Sequence, residues 1–510
     1  MAQILCGTCS RDFISFRERA SRAAAGFAAL GVKEGDSVAL CMRNDIAFLE
    51  ASVGIGLIGA YAVPINWHGK SEEIGHVLQD SGAKVVVAHS DFAPLLANFN
   101  DLQVVWVKTP REVATAYGFE AATIELEPSA LEWETWLAQH LPSGDTPRRA
   151  RGVIVYTSGT TGKPKGVQRM PLESAEQERS MADFLRRCFG VRENVRTVLC
   201  GPLYHAMPNV HLRAVLSTIG SDGLIVVEPR FDAERLLQLI EKHRINQLVM
   251  APVMFYRLLK LPEHAKRKYD LSSLEHVIHS GAPCPYQVKK DMIAWWGPVI
   301  HEFYGTTETG MITLVDADSW LSKPGTVGRA LADATLKVIG ESGNEVPTGE
   351  PGEICAINYL YADFTYRNLI EERQKLDRNG LIATGDIGYL DSDGFLFLCD
   401  RKKDMVISGG VNIYPAEIEG ALHSMSTIRD CAVFGIPDEE YGEALAAHIE
   451  LMPGAQANAH DIRAYLSDKL ASFKIPKVIR FEGGLPRDDN GKIYKRRLSE
   501  PYWAEVGRRI

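Results

Sequence analysis

Short apolar, β-branched runs alternate with longer amphipathic stretches through most of the chain. Ser37-Val38-Ala39-Leu40 is followed by a helix-like stretch from Ile46 to Ile58 and then by Lys84-Val85-Val86-Val87. The same order returns with Leu224-Ile225-Val226-Val227, the helical period of Ala233 to Lys242, and Gln247-Leu248-Val249-Met250. This alternation predicts an α/β fold of largely parallel sheets with helices on their faces. Gly349-Glu350-Pro351-Gly352-Glu353-Ile354 and Gly394-Phe395-Leu396-Phe397 instead predict short antiparallel strands. Beyond Asp400 about a hundred residues of mixed helix and strand character remain, the size of a compact domain. The expected division is an N-terminal domain over 1–399 and a C-terminal domain over 400–510. The charged run Asp400-Arg401-Lys402-Lys403-Asp404 between them reads as a solvated loop or a hinge, and Leu141 to Arg151 as a connector.

Length and charge narrow the classes. At 510 residues the chain exceeds one hydrophobic core. Its net charge of -9 leaves no basic surplus to neutralise a phosphate backbone, so nucleic acid is not the expected partner. The nine cysteines are odd in number and lie mostly in apolar runs, which fits reduced thiols and a cytoplasmic location. Cys6 and Cys9 make a lone C-x-x-C with no second pair to complete a zinc site. The uncharged stretch from Ala51 to Trp67 is short and broken by Gly54, Gly56, Gly59 and Pro64, so it predicts a buried helix running into a strand rather than a membrane span. No secretory signal is expected, and Gly507-Arg508-Arg509-Ile510 is not a peroxisomal address.

The richest local chemistry follows Val153-Ile154-Val155. Tyr156-Thr157-Ser158-Gly159-Thr160-Thr161-Gly162-Lys163-Pro164-Lys165-Gly166 combines hydroxyls, glycines and two lysines. Glycines admit backbone N-H groups close to phosphate oxygens, hydroxyls donate further hydrogen bonds, and lysines offset charge. The spacing is not G-x-x-x-x-G-K-[ST], and Pro164 bars a direct run into a helix, so a scaffold other than the P-loop is required.

The wording of this loop resembles the signature of the adenylate-forming enzymes, the superfamily of acyl- and aryl-CoA synthetases, peptide-synthetase adenylation domains and luciferases. Further signatures follow in the family's order. Tyr304-Gly305-Thr306-Thr307-Glu308 resembles Y-G-x-T-E, Gly281-Ala282-Pro283 the adenine-side segment, and Thr384-Gly385-Asp386 the T-G-D ribose motif. Lys402 to Gly410 with Asn412 to Glu419 resembles the hinge-and-tunnel motif, and Leu485 to Lys492 the terminal lysine loop. The resemblance implies a large N-terminal domain with a small β-barrel-like subdomain and a small mobile α+β C-terminal domain. It also implies roles. ATP is held by Thr157, Ser158, Gly159, Thr160, Thr161, Gly162, Lys163 and Lys165, by Gly281, Ala282, Pro283, Tyr304 and Gly305, and by Asp386 and Arg401 on the ribose. Thr307 contacts the α-phosphate, Glu308 holds Mg²⁺, and Lys492 serves adenylation. Lys403 is the pivot, and Gly409 and Gly410 line the path of the CoA pantetheine arm.

A carboxylate cannot be attacked directly by a thiol, and conversion to an acyl-adenylate supplies the leaving group. CoA is then the expected acceptor, with a carrier-protein phosphopantetheine as the alternative. The same resemblance assigns the acyl pocket to Tyr204, His205, Met207, Asn209 and Met254, with His205 at its mouth. No aspartate stands there for an amino-acid ammonium, and the methionines suit a hydrophobic monocarboxylic acid, fatty, aryl or alicyclic. Arg213 is the one permanent cation nearby, which keeps a dicarboxylic acid such as malonate as the less favoured alternative. Asp363-Phe364-Thr365-Tyr366-Arg367 departs from the Gly-Tyr-Trp of many relatives. A homodimer and a protein acetyltransferase acting on Lys492, which lies in a P-x-x-x-x-G-K pattern, are the candidate protein partners.

Overall fold

The computed structural model describes residues 1–99, 101–120, 129–144, 148–149, 151–157, 164–409, 411–487 and 493–504. The alternating pattern became strands and helices nearly where the apolar periods fall. Ser37–Cys41, Val85–His89, Leu224–Val227 and Gln247–Met250 are strands, and Ile46–Leu57 and Ala233–His243 are helices. The second helix shows why: Asp232 caps its start by accepting from Arg235 N at 2.8 Å, Leu236, Leu237, Leu239 and Ile240 bury one stripe, and Arg244 ends it at φ 50°. The stretch from Ala51 to Trp67 is the rest of helix Ile46–Leu57 followed by strand Tyr61–Pro64. No helix among the described residues is long and apolar enough to cross a membrane.

One parallel sheet is built from Tyr61–Pro64, Ser37–Cys41, Val85–His89, Gln103–Val107 and Leu131–Glu132, in that order. A larger sheet contains a parallel block in the order Ile300–Thr306, His276–His279, Gln247–Met250, Arg196–Leu199, Leu224–Val227 and Gln3–Cys6. Beyond Ile300–Thr306 the same sheet turns antiparallel and continues through Gly310–Val315, Thr326–Ala330, Phe395–Arg401, Leu381–Leu390, Gly352–Asn358 and Ala334–Ile339. The antiparallel strands read from the glycine turns are therefore an extension of the main sheet.

The chain leaves this sheet at Arg401 and enters another at Val406. There Val411–Ile413, Val406–Ser408, Gly442–Leu451 and Ile428–Asp438 pair antiparallel, and Val478–Glu482 joins in parallel. Helix Pro415–His423, started by a proline at its first turn, packs Ile418 and Leu422 into a core with Cys431, Val433 and Ile449.

Beneath the carboxyl ends of the parallel block lies a buried ion pair. Lys289, on helix Tyr286–Trp296, donates to Glu302 Oε2 on strand Ile300–Thr306, with His279 Nε2 3.7 Å from the same oxygen. Burial pushes the Glu302 carboxyl up against the opposing pull of the ammonium, and holds the His279 imidazole neutral. Lys289→Ala would strand a carboxylate in the interior, and the expected loss of unfolding free energy is about 3–5 kcal/mol in urea titrations. Replacing both partners, Lys289→Met with Glu302→Leu, should recover most of it; an equal loss in the double variant would refute the pairing as the cause.

Candidate active site

The strand order decides which segments meet. Because Arg196–Leu199, Gln247–Met250, His276–His279 and Ile300–Thr306 are parallel neighbours, their carboxyl ends deliver 200–205, 251–254, 280–283 and 304–308 to one edge of the sheet. That edge is where open α/β sheets place ligands. Gly281 there adopts φ +89° and faces open space, which a β-carbon would find strained. Ala282 is half-buried and Pro283 exposed beside it.

Strand Ile300–Thr306 ends in a bulge between Tyr304 and Gly305, where the Gly310 carbonyl occupies the place of a β-carbon on Gly305. A reciprocal pair follows: Thr306 N donates to Thr309 Oγ1 at 3.0 Å and Thr309 N to Thr306 Oγ1 at 3.1 Å. This tight turn presents Thr307 and Glu308. Tyr304 is buried, and its hydroxyl donates to Asp386 Oδ2 at 2.8 Å. Burial and the neighbouring Asp386 carboxylate push the phenol well above its ordinary range.

Asp386 stands opposite Arg401 in the antiparallel register, and Arg401 Nε lies 3.3 Å from Asp386 Oδ1. The T-G-D turn is braced locally: Thr384 Oγ1 donates to the Ile354 carbonyl at 2.9 Å and accepts from Asp386 N at 3.2 Å. Gly385, at φ +73°, turns its carbonyl to Lys402 N at 2.9 Å. Tyr304 and Arg401 thus converge from two other strands on the Asp386 carboxylate.

The strands on either side of the glycine- and hydroxyl-rich segment pair with each other. Val155–Thr157 and Lys165–Arg169 are antiparallel partners, with Thr157 opposite Lys165. Ser158, Gly159, Thr160, Thr161, Gly162 and Lys163 lie outside the described residues, as do Gly410 and Lys492. Lys165 is buried, and its ammonium is 2.6 Å from Glu372 Oε2. Hydrogen bonds from Lys165 and Lys375 hold the Glu372 carboxyl down to about 2.

Two residues without a motif organise this corner. Arg169 sends one guanidinium nitrogen to the carbonyls of Thr307 and Glu308, at 2.8 and 2.7 Å, while its plane rests 4.7 Å from the Tyr361 ring centroid. Tyr366 donates its hydroxyl to Glu308 Oε1 at 2.8 Å. Tyr366 lies on strand Phe364–Tyr366, paired with Lys165–Arg169, so the segment that departs from Gly-Tyr-Trp forms a third strand on the hairpin and reaches Glu308. A carboxylate oriented this way is a hard oxygen donor suited to Mg²⁺.

Tyr204 and His205 lead into helix Ala206–Thr218, their rings 4.4 Å apart, with Trp67 edge-on to Tyr204. The loop before them is pinned by Asn44. Its amide donates to the carbonyls of Gly201 and Glu228 at 2.9 and 3.2 Å and accepts from Leu203 N at 2.9 Å. Met207 is half-buried against the core. Asn209 is buried with its amide on the Leu203 carbonyl at 3.1 Å, and Met254 lies within the core of helix Pro252–Leu259. Arg213 is exposed beside Gly152.

At the junction, Asp404 N and Met405 N both donate to the Arg401 carbonyl, at 2.9 and 3.1 Å, and Lys403 sits exposed in that turn. The smaller sheet meets helix Pro252–Leu259 where the Tyr256 hydroxyl donates to the Arg429 carbonyl at 2.8 Å. Arg487 is held nearby, 2.6 Å from Asp430 and 3.3 Å from Glu450, and bridges antiparallel to Ile493. The Gly409 hairpin lies elsewhere, with Ile407, Val411 and Tyr441 exposed around it. Gly409 has φ +57°, donates to the Tyr441 carbonyl at 2.8 Å and lies against that ring.

Comparison with known proteins bears on this constellation. The pattern described as AMP-binding enzyme matches residues 6–360, and that described as AMP-binding enzyme C-terminal domain matches 417–492. The chain belongs to the AMP-binding enzyme family. It is 32% identical over 487 residues to a long-chain-fatty-acid–CoA ligase of Mycobacterium tuberculosis, covering 96% of this chain and 92% of that one. It is 31% identical over 495 residues to a feruloyl-CoA synthase of an Amycolatopsis species, covering 96% and 93%. The crystal structure of ATP-bound MatB from Rhodopseudomonas palustris superposes with a TM-score of 0.84 at 26% identity, over 99% of this chain and 96% of the other.

The Tyr366 contact generates a test. Tyr366→Phe removes one hydrogen bond to a carboxylate, worth about 1.5–3 kcal/mol. Pyrophosphate release should fall about ten- to a hundredfold at low Mg²⁺ and recover as Mg²⁺ is raised. Unaltered Mg²⁺ dependence would show that the phenol does not orient Glu308.

Proposed function

We propose that the chain is an AMP-forming ligase that joins a hydrophobic monocarboxylic acid to CoA through an acyl-adenylate. The observation that carries the reading is the Asp386 carboxylate, flanked by Tyr304 and Arg401 beside the Thr307–Glu308 turn at the carboxyl ends of the parallel strands. A carboxylate with two acceptor oxygens suits a ribose diol, and an aromatic face suits adenine. In the first half-reaction a substrate carboxylate oxygen attacks the α-phosphorus and pyrophosphate leaves. The Thr307 hydroxyl, the loop from Thr157 to Lys165 and Lys492 would stabilise the charge that builds there. Glu308 would hold Mg²⁺, which neutralises phosphate oxygens when bound. In the second half-reaction the CoA sulfur attacks the acyl carbon, the acyl–oxygen bond to AMP breaks, and the thiol proton passes to solvent.

The two faces of the small domain support a rotation about Lys403. The surface with Arg429 meets helix Pro252–Leu259, whereas the Gly409 hairpin exposes Ile407, Val411 and Tyr441. Rotation would exchange the Lys492 segment for Gly409 and Gly410 at the adenylate. For the acid, Tyr204 to Asn209 carries no carboxylate to hold an ammonium, which favours an uncharged, apolar chain or ring.

Lys492→Ala is expected to lower adenylate formation by two orders of magnitude or more (about 100-fold, the scale of losing one oxyanion donor) while sparing thioester formation from pre-made acyl-AMP. Lys403→Pro should do the reverse. Equal losses in both half-reactions for either variant would overturn the division of labour. A pyrophosphate-release panel tests the acid: kcat/KM should climb with each buried methylene, by about 0.8 kcal/mol, until the pocket is full. Preference for glycine, leucine or malonate would sink the apolar reading, and product formed only with a phosphopantetheinylated carrier would replace CoA as acceptor.

A further inference from the structure

Cys6 and Cys9 of the N-terminal C-x-x-C stand opposite each other on the paired strands Gln3–Cys6 and Cys9–Asp12, the first buried and the second exposed. Among the described residues, ligand atoms do converge in the small domain, where those of His423, Asp430 and Cys431 all lie within 4.8 Å of one another. His423 ends helix Pro415–His423, and the other two lie on strand Ile428–Asp438, against which that helix packs. His423 Nε2 is 3.5 Å from Asp430 Oδ1 and 3.8 Å from Cys431 Sγ. Neighbouring strand residues ordinarily face opposite sides, and here the register shifts between Ile428 and Asp430, beside the pair that both reach His423.

The separations have a chemical reading. With bonds of about 2.0–2.1 Å to nitrogen, 2.0–2.2 Å to oxygen and 2.3 Å to sulfur, tetrahedral zinc sets nitrogen and oxygen about 3.3 Å apart and nitrogen and sulfur about 3.6 Å apart. The nitrogen–oxygen and nitrogen–sulfur distances are therefore each within about 0.2 Å of that requirement. The carboxylate is also oriented as metal ligands are. Arg487 Nη1 engages Asp430 Oδ2 at 2.6 Å, and Oδ1, which accepts from Cys431 N at 2.7 Å, is the oxygen turned to His423.

We infer that His423, Asp430 and Cys431 form a site for a borderline-soft divalent ion of the zinc class, with one water as fourth ligand. Thiolate and carboxylate together balance the ion's two charges, and the Cys431 proton is released to solvent on binding. Mg²⁺, which demands six oxygens in octahedral array, does not suit this donor set. None of its three residues is among those placed at the nucleotide-binding edge. It lies at the anchor of Arg487, on the segment leading to Lys492, so an ion there would clamp the end of helix Pro415–His423 to the strand that holds this segment.

The full-length protein, stripped with chelator and desalted, is titrated with Co²⁺ in excess Mg²⁺. One equivalent should bind with a thiolate-to-cobalt charge-transfer absorption and four-coordinate visible bands, and one equivalent of Zn²⁺ should abolish both. Cys431→Ser should remove the charge-transfer band, His423→Gln should weaken Co²⁺ binding about tenfold or more, and Cys9→Ser should change neither. Thermal unfolding of the metal-free variants reports whether they fold. Should Cys431→Ser fail to fold, His423→Gln, altered at a partly exposed side chain, decides by itself. Absence of a charge-transfer band in the unaltered protein, its survival in Cys431→Ser, or undiminished affinity in folded His423→Gln would overturn the site.

Discussion

Strand Ile300–Thr306 is hydrogen-bonded in parallel to His276–His279 on one side and antiparallel to Gly310–Val315 on the other. That change of direction is the constraint on which the site depends. On the parallel side, crossover connections must return each strand to the same end, so the loops after Leu199, Met250 and His279 collect along one edge. On the antiparallel side, hairpins fold the chain back and bring Asp386 and Arg401 across to Tyr304. A carboxylate brought from the far side of this switch thereby faces the residues delivered by the parallel strands.

Precision at that edge comes from polar groups taken partly out of water. The Arg169 guanidinium is desolvated, its ring contact leaves the donors free for carbonyls, and those carbonyls belong to the turn carrying Thr307 and Glu308. Asn44 does the same for the Tyr204–His205 segment from the other sheet. In each case the cost of leaving a donor unmade fixes a loop that apolar packing alone would let slide.

The small domain is tied differently. Asp400 accepts from Ala416 N at 2.8 Å, and burial pushes its carboxyl above the usual range. Lys495, 2.9 Å from Glu419, feels Asp400 and Asp404 as well, and the three carboxylates hold its ammonium above the ordinary lysine range. Charges therefore cluster where the chain passes from one sheet to the other.

Local periodicity determined much by itself: strands such as Leu224–Val227 and Gln247–Met250, helices such as Ala233–His243, and the glycine turns of the antiparallel strands follow from side-chain alternation and backbone preference within a few residues. The motif residues Tyr304, Glu308, Asp386 and Arg401 were also legible, because their wording is local. Tyr366, Arg169 and Asn44 were not. Each acts on a residue far along the chain, through a register or a loop contact that no short window contains. Asn209 and Met254, assigned to the pocket by the resemblance, are buried, Asn209 with its amide on the Leu203 carbonyl. The partners of His423 divide the same way. Asp430 and Cys431 are adjacent in sequence, yet only the packing of a helix against a strand, and the irregular register beside them, set all three ligand atoms within reach. Sequence specifies which groups are available within a turn or a strand; tertiary structure decides which of them share a point in space, because that depends on strand order and register summed over the whole sheet.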